Sequence, residues 1–251
     1  MAQMKRLDPD IVLGAYAVGV FPMADHRRAE TVYWVEPKRR AVLPLDQFHL
    51  SHSLRKVLVR DRFRVTADQA FEQILALCGA AAPDRPETWI NPSIVEVFIR
   101  LHAMGFAHSI ECWDGDALVG GRYGLALGRA FFGESMVSRT RDASKVALAW
   151  LVARLRAGGF TLLDCQFQTD HLASLGAVEI SRSDYLGLLS AALSGLGEAV
   201  GGAGAGVVPL STLAVASLAD FFALDRPGAA SPADSAPVNG KLIAQLLVQT
   251  S

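Results

Sequence analysis

Apolar residues are concentrated in two consecutive runs, residues 118–127 and 130–138, which are separated by Gly128 and Arg129. A turn between two such runs predicts adjoining antiparallel strands. The charged residue Glu134 interrupts the second run. Because a carboxylate is rarely buried without a partner, Glu134 is expected to be either paired or functional.

A helical repeat follows, in which apolar residues recur three and four positions apart: Ala147, Leu148, Leu151, Val152 and Leu155. This spacing predicts a helix with one buried face, which Asp142 caps and Gly158 ends. Residues 161–165 then predict a short buried strand. A second carboxylate, Asp164, interrupts it.

Residues upstream of position 46 form only short elements. A helix is predicted after Asp8, and strands are predicted at residues 32–35 and 41–43, with Phe21 and Met23 in a loop. This unit is too small to hold a core alone, so it is expected to pack on the domain that follows.

The middle of the chain predicts a mixed sheet. A basic helix is expected at residues 51–59, and Thr66 begins a capping-box pattern before the next helix. Asn91 and the following proline predict a third helix start, and Asp114 with the following glycine predicts a hairpin. From residue 63 the order is strand, two helices, three antiparallel strands, helix and strand. This order predicts an α+β fold with a largely antiparallel sheet and flanking helices.

The composition changes after residue 194. Residues 195–240 consist largely of Gly, Ala, Pro and Ser, which is typical of a flexible segment. A helix is predicted near residues 213–224 and a short docking helix at residues 242–248, and removal of the tail is expected to leave the fold largely intact. The predicted division is a small N-terminal domain of residues 1–45, a main domain of residues 46–194 and a mostly flexible tail of residues 195–251.

Composition excludes several classes of protein. The 251 residues contain no apolar run of the roughly 18 residues that span a membrane, and the first residues lack the apolar segment of a signal peptide. The three cysteines are widely spaced, which argues against a disulfide framework. A cytoplasmic protein is therefore expected.

The net charge of −1 hides a basic cluster, since eight lysines and arginines but only two acidic residues lie between positions 38 and 64. Such a cluster fits a polyanionic partner, and a solvated surface is the alternative. The candidate nucleic-acid contacts are Lys38, Arg39, Arg55, Lys56, Arg60 and Arg62.

Common catalytic motifs are absent, including the phosphate-binding glycine loops of nucleotide enzymes. Residues 133–137 resemble a serine-hydrolase elbow but lack its last glycine. His49 and His52 have metal-ligand spacing without further ligands, so no metal site is expected. Cys165 is a poor nucleophile candidate because the neighbouring Asp164 raises the pKa of a thiol.

Short motifs occur in a fixed order along residues 11–189. They are Ala15-Tyr16, Gly19-Val20-Phe21-Pro22, Trp34-Val35-Glu36-Pro37, Thr88-Trp89-Ile90, Leu118-Val119-Gly120-Gly121-Arg122-Tyr123-Gly124, Phe132-Gly133-Glu134-Ser135-Met136-Val137-Ser138-Arg139, Asp142-Ala143-Ser144-Lys145 and Asp164-Cys165-Gln166. In this order they resemble the leucyl/phenylalanyl-tRNA–protein transferase family.

The resemblance implies a small N-terminal domain on an acetyltransferase-like (GNAT-like) domain. It also implies a reaction, in which Leu or Phe moves from aminoacyl-tRNA to the α-amino group of a protein that begins with Arg or Lys. The product enters bacterial N-degron proteolysis. No metal or organic cofactor is implied, and a monomer is expected.

Site residues follow from the same resemblance. The catalytic positions are Asp164 and Gln166 at the reacting amine, with Glu134 nearby. The substrate-binding positions are Trp89, Phe131, Met136, Ser138, Tyr16 and Met23. Met23 stands where the family often has tryptophan, and Phe98 where a tyrosine is common.

The implied reaction requires no strong base, because an α-amine with a pKa of about 7.7–8 is partly neutral at pH 7. The ester is already activated, so the protein mainly has to orient the reactants. Asp164 is expected to stabilise the ammonium that forms on attack and to position Gln166. The alternative for Asp164 is a buried ion pair with Arg139 or Lys145.

Two other functions remain open from the sequence. An acyl-coenzyme A-dependent N-acetyltransferase would use the same scaffold, but residues 138–142 lack the glycines that usually cradle a pyrophosphate. A non-catalytic tRNA-binding module would explain the basic cluster but not a carboxylate on a core strand.

Overall fold

The computed structural model describes residues 6–81, 87–194, 219–226 and 238–248. Its helices are Pro9–Ala17 (α1), His52–Val59 (α2), Phe71–Cys78 (α3), Pro92–Ala103 (α4), Ala143–Ala157 (α5), Asp170–Ala173 (α6), Arg182–Leu193 (α7) and Gly240–Val248 (α8). Its strands are Phe21–Met23 (β1), Tyr33–Val35 (β2), Arg39–Val42 (β3), Arg64–Ala67 (β4), Ala107–Asp114 (β5), Ala117–Leu127 (β6), Ala130–Ser138 (β7), Leu162–Gln166 (β8) and Val178–Ser181 (β9). In the described part of the chain, no helix is long and apolar enough to cross a membrane.

Seven strands form one sheet in the order β4-β5-β6-β7-β8-β3-β9, and β1 pairs with β2 in a separate ribbon. Among the strands of the described residues, only β7 and β8 pair in parallel, because α5 crosses between them. The predicted α+β fold, with a largely antiparallel sheet and flanking helices, is confirmed and is consistent with a GNAT-like architecture.

A cleft opens between β7 and β8. Their pairing ends at Phe132 and Asp164, although β7 continues to Ser138 and β8 to Gln166. The pairing of β6 with β7 also shifts register here, which leaves Glu134 as an extra residue on β7. A bulge of this kind turns a side chain away from the direction that regular alternation would give it. The bulge therefore sets the direction of the Glu134 side chain at the edge of the cleft.

Several local predictions are confirmed. Asn91 caps α4 by accepting a hydrogen bond from the Ile94 amide at 3.0 Å. The hairpin after Asp114 joins β5 to β6, and Gly115 takes the left-handed φ of 59° that this turn requires. Asp142 does occupy the N-cap position of α5, but Ser138 supplies the side-chain hydrogen bond to that helix end.

Two local predictions are wrong. Phe21 and Met23 do not lie in a loop, because they form β1 and pair with β2. Thr66 does not begin a capping box, since it belongs to β4 and bonds the Glu111 carboxylate on β5. In both places, pairing with a strand that the local pattern does not contain decided the structure.

The strand β3 links the first residues of the chain to the main sheet. It lies between β8 and β9, although it belongs to the proposed N-terminal domain of residues 1–45. This insertion brings the buried side chain of Arg40 next to β8. The division into three domains remains a proposal.

Two segments of the C-terminal region pack on the core. The predicted docking helix is confirmed as α8, which packs against α2 and α5 and buries Ile243 and Leu247. Near residue 221, the Phe221 ring stacks on His108 at 4.2 Å, and Asp225 pairs with Arg154. The helix predicted near residues 213–224 lies partly outside the described residues, and a 3₁₀ turn at Ala223–Asp225 occupies its end.

Because these segments pack on the core, removal of residues 195–251 is expected to destabilise the fold. A point variant in α8 measures this contribution. Leu247→Ala should destabilise the protein by about 2–5 kcal/mol, because it leaves a cavity between α8 and the core. Val248→Ala is the matched control, since Val248 is 50% exposed and its change should stay within about 0.5 kcal/mol. Thermal unfolding of both variants tests this, and equal melting temperatures would show that α8 does not dock.

Candidate active site

Glu134 lies at the bulge of β7 with its side chain buried. Its Oε1 accepts hydrogen bonds from the Tyr16 hydroxyl at 2.7 Å and from the Gln166 side-chain amide at 3.1 Å. Its Oε2 is buried and has no hydrogen-bond partner within the described residues. Burial raises the pKa of Glu134 to about 7, although the two hydrogen bonds oppose this rise. The carboxyl group therefore titrates near neutral pH and keeps one acceptor unused.

Asp164 is completely buried and fully paired. Arg40 Nε donates to its two oxygens at 2.9 and 3.0 Å, and the Tyr185 hydroxyl donates to Oδ2 at 2.9 Å. The partner is thus Arg40, whereas the sequence suggested Arg139 or Lys145 for a buried pair. Asp164 does not line the cleft, because these groups enclose it.

Arg40 is held from several sides. Its Nη1 donates to the Gly19 carbonyl at 3.1 Å, and its guanidinium lies 4.6 Å from the ring centroids of both Phe21 and Tyr185. Burial alone would lower the pKa of Arg40, but the hydrogen bonds and charge of Asp164 outweigh it and the pKa is raised. The pair therefore joins the N-terminal segment to the main sheet without an uncompensated charge.

Gln166 connects the two carboxylates. Its backbone amide donates to Asp164 Oδ1 at 2.8 Å, and its side chain donates to Glu134. Its φ of 63° lies in the left-handed region, which a non-glycine residue adopts only when its surroundings hold it there. Asp164 supplies that restraint and so directs the Gln166 side chain toward Glu134.

A cavity of about 250 Å³ occupies the cleft between β7 and β8. Four predicted site residues line it: Trp89, Glu134, Met136 and Gln166. Phe167 and Leu172 add apolar surface. The arrangement joins a carboxylate and an amide to apolar walls, which suits a small acyl group with an apolar side chain.

The other predicted substrate-binding residues lie elsewhere. Tyr16 does not line the cavity, but its hydroxyl donates a hydrogen bond to Glu134. Phe131 does not line the cavity, because it is buried in the core against Phe221 on the face that α5 covers. Ser138 caps α5, and Met23 is partly buried in β1. The substrate contacts expected for these residues stay untested predictions.

The six predicted nucleic-acid contacts are all exposed. Arg39 pairs with Glu179 on β9, whereas Arg62 pairs with Asp114 on β5. These pairs lie at opposite edges of the sheet, roughly 24 Å apart at about 4.8 Å per strand. The cluster in the sequence is therefore not one patch in space.

Three of the six basic residues lie together on α2 or just after it. Arg55, Lys56 and Arg60 project from that helix or its C-cap, and the described carboxylates form no ion pair with them. These three side chains are the best placed of the six to meet a polyanion together.

Sequence reasoning missed Arg122, which also lines the cavity. It lies on β6 and is only 3% exposed. The signal was available, because Arg122 breaks an apolar strand in the same way as Glu134 and Asp164. Arg40 and Tyr185 were missed as well, and no local pattern marks them as partners of a distant strand.

Comparison with known proteins identifies the same family over most of the chain. The family model of leucyl/phenylalanyl-tRNA protein transferase matches residues 42–190, and the model of its N-terminal domain matches residues 5–38. A leucyl/phenylalanyl-tRNA–protein transferase of Rhizorhabdus wittichii is 59% identical over 251 residues, covering 99% of this chain and 100% of the relative. One from Novosphingobium aromaticivorans is 52% identical over 98% of this chain and 97% of its own length. One from Zymomonas mobilis is 61% identical over 75% of this chain and 70% of the relative.

Proposed function

The chain belongs to the leucyl/phenylalanyl-tRNA protein transferase family and is an aminoacyltransferase, and on this premise we propose its acceptor, its site residues and their roles. The acceptor is the α-amino group of a protein that begins with Arg or Lys, and the donor is Leu- or Phe-tRNA. The observation that carries the site assignment is the cavity between β7 and β8, where a carboxylate with an unused oxygen borders apolar walls.

Glu134 is the group that meets the attacking amine. The ester is activated already, so the protein has to orient the reactants and stabilise the charge that develops. As the amine attacks, it becomes an ammonium, and a carboxylate with one unused acceptor stabilises that charge. The hydrogen bond between Gln166 and Glu134 supports a role of Gln166 in holding the amine in line.

Asp164 acts indirectly, through Gln166. Its oxygens are occupied by Arg40, Tyr185 and the Gln166 amide, which supports a positioning role rather than contact with substrate. Loss of Asp164 would then act through the backbone conformation of Gln166.

The aminoacyl side chain occupies the apolar part of the cavity. Trp89, Met136 and Leu172 provide largely apolar walls. Such walls distinguish aliphatic side chains by only about 1–3 kcal/mol per methylene, so Leu and Phe are both accepted while short side chains are disfavoured.

The biological role follows from the reaction. Addition of Leu or Phe to a basic N-terminus marks a protein for N-degron proteolysis, and the enzyme acts as a monomer in the cytoplasm. Incubation with labelled leucyl-tRNA tests the acceptor, using two peptides that differ only in an N-terminal Arg or Ala. Label is expected in the Arg peptide, and equal labelling of both would overturn the proposed specificity.

The basic side chains on α2 are the proposed contacts to tRNA phosphates. The triple variant Arg55→Ala, Lys56→Ala, Arg60→Ala should weaken binding and reduce the slope of log K against log salt by up to about 0.9 per contact. Filter binding at several salt concentrations measures this slope. Arg6→Ala is the control, because it removes an exposed arginine that pairs with Glu96 on α4. An unchanged slope in the triple variant would discard this placement.

A further inference from the structure

Three arginines are buried within the described residues, and two of them have a carboxylate partner. Arg40 pairs with Asp164, and Arg154 pairs with Asp225. Arg122 is as buried as Arg154, at 3% exposure, but its Nε and Nη1 have no hydrogen-bond partner in the described chain. A buried cation without a partner is destabilising, so its presence requires a reason outside stability.

The surroundings of Arg122 do not compensate its charge. The thiols of Cys165 and Cys78 act on the charge of Arg122, and that charge in turn lowers the pKa of His171. Burial raises the pKa of Cys165 to about 12, so this thiol is neutral at physiological pH. Burial also lowers the pKa of Arg122, but a guanidinium remains protonated in proteins.

The absence of a side chain at Gly133 leaves room for the Arg122 guanidinium beside the cavity. A Cβ atom at position 133 would lie 2.6 Å from Arg122 Nη2, so any side chain there would displace the guanidinium. Arg122 and Gly133 both line the cavity that Glu134 and Gln166 also border. An uncompensated cation and an underused carboxylate therefore face one small space.

We propose that Arg122 is a catalytic residue that donates a hydrogen bond to the carbonyl oxygen of the aminoacyl ester and stabilises the oxyanion formed during transfer. The assignment rests on the proposed function of this site. A carbonyl oxygen gains a full negative charge in the tetrahedral intermediate, so a fixed cation in a mostly apolar cavity stabilises that state more than the bound ester. Most other walls are apolar, which suits an acyl group better than a hydrated phosphate.

The step balances without a further reagent. The neutral amine nitrogen forms a bond to the ester carbon, and the electron pair of the carbonyl moves to the oxygen beside Arg122. When the carbonyl re-forms, the bond to the ribose oxygen breaks. The nitrogen loses one proton and the ribose oxygen gains one, which gives an amide and a free tRNA hydroxyl.

Arg122→Met tests the proposal, because methionine keeps a long side chain and removes the charge. Its kcat with leucyl-tRNA is expected to fall about 10²–10³-fold with little change in KM, as for loss of one oxyanion donor. Its melting temperature is expected to rise by about 2 °C or more, because an unpaired buried charge is gone. Arg154→Met is the matched control, since it breaks a buried pair outside the cavity and should lower the melting temperature without changing kcat of the folded enzyme.

A second aminoacyl donor distinguishes contact of Arg122 with the ester carbonyl from contact with a tRNA phosphate. Leucyl-adenosine carries the ester but no phosphate, and the fall in kcat should persist with it. A rise in KM confined to leucyl-tRNA would overturn the proposal and assign Arg122 to a tRNA phosphate. A lower melting temperature with unchanged kcat would overturn it in favour of a structural role. Should Arg122→Met not fold, recovery of Arg122→Ala turnover by millimolar guanidinium supports the proposal, and no recovery contradicts it. An inactive natural enzyme would contradict the proposed function itself.

Discussion

Replacement of Asp164 by Asn is expected to lower the free energy of unfolding by about 3–5 kcal/mol, because it leaves the buried Arg40 guanidinium without its counter-charge. For a chain of this size the melting temperature should fall by roughly 6–20 °C. The expected cost is large because both side chains of the pair are buried, at 1% and 0% exposure.

Turnover by the folded fraction of Asp164→Asn should also fall on the order of a hundredfold, because the restraint on the backbone of Gln166 is weakened. Unfolding curves and single-turnover transfer at a temperature where the variant is folded measure the two effects separately. Normal transfer by the folded variant would show that Asp164 is purely structural.

A double-mutant cycle identifies the cause of the instability. Arg40→Met alone leaves Asp164 unpaired, and the double variant Arg40→Met, Asp164→Asn contains no buried charge at this place. The double variant should therefore be more stable than the sum of the single effects predicts. Asp225→Asn is a useful comparison, because its side chain is 45% exposed and water can replace part of the lost contact. Additive single effects would contradict the paired arrangement.

The sequence indicated Glu134 and Asp164 because a charge inside an apolar strand is a local signal. It did not indicate Arg40 as the partner of Asp164, since the two are 124 positions apart and meet only because β3 inserts beside β8. Helix starts such as Asn91 were predicted correctly, because the capping side chain and the amide it satisfies are three residues apart.

Side-chain direction near the cleft was harder to predict. Phe131 and Phe132 alternate across β7 and both are apolar, so the pattern does not show which face of the sheet each one occupies. Both are buried in the core, and neither lines the cavity. The register shift at Glu134 then changes the alternation that any extrapolation along the strand would use. Trp89 and Met136 line the cavity, whereas Phe131 packs in the core, and the contact of these residues with the aminoacyl group stays a prediction.

Glu134→Gln is expected to reduce transfer at pH 8 on the order of a hundredfold while leaving the fold intact. Glutamine keeps the size of the side chain and an oxygen that accepts from Tyr16 and Gln166, but it carries no charge to stabilise the ammonium. The affinity for leucyl-tRNA should change little, because the lost interaction belongs to the transition state.

The pH dependence makes this prediction specific. Since burial raises the pKa of Glu134 to about 7, the ratio of natural to Glu134→Gln rates should rise about tenfold per pH unit below pH 7 and level off above it. The ratio removes the titration of the substrate amine, which both enzymes share. A ratio that does not change between pH 5.5 and 8.5 would exclude ionised Glu134 from the reaction.

Stability should change in the opposite direction from activity. A carboxyl group whose pKa is raised on folding stabilises the fold below its unfolded pKa of about 4.3, and this contribution is lost as pH rises through about 7. The natural protein should therefore lose about 3 kcal/mol relative to Glu134→Gln between pH 4.5 and pH 8. Urea unfolding of both proteins at several pH values measures this difference. A Glu134→Gln variant that gains relative stability with rising pH while losing transfer identifies Glu134 as a group kept ionisable in a dry site for the reaction, at the expense of stability.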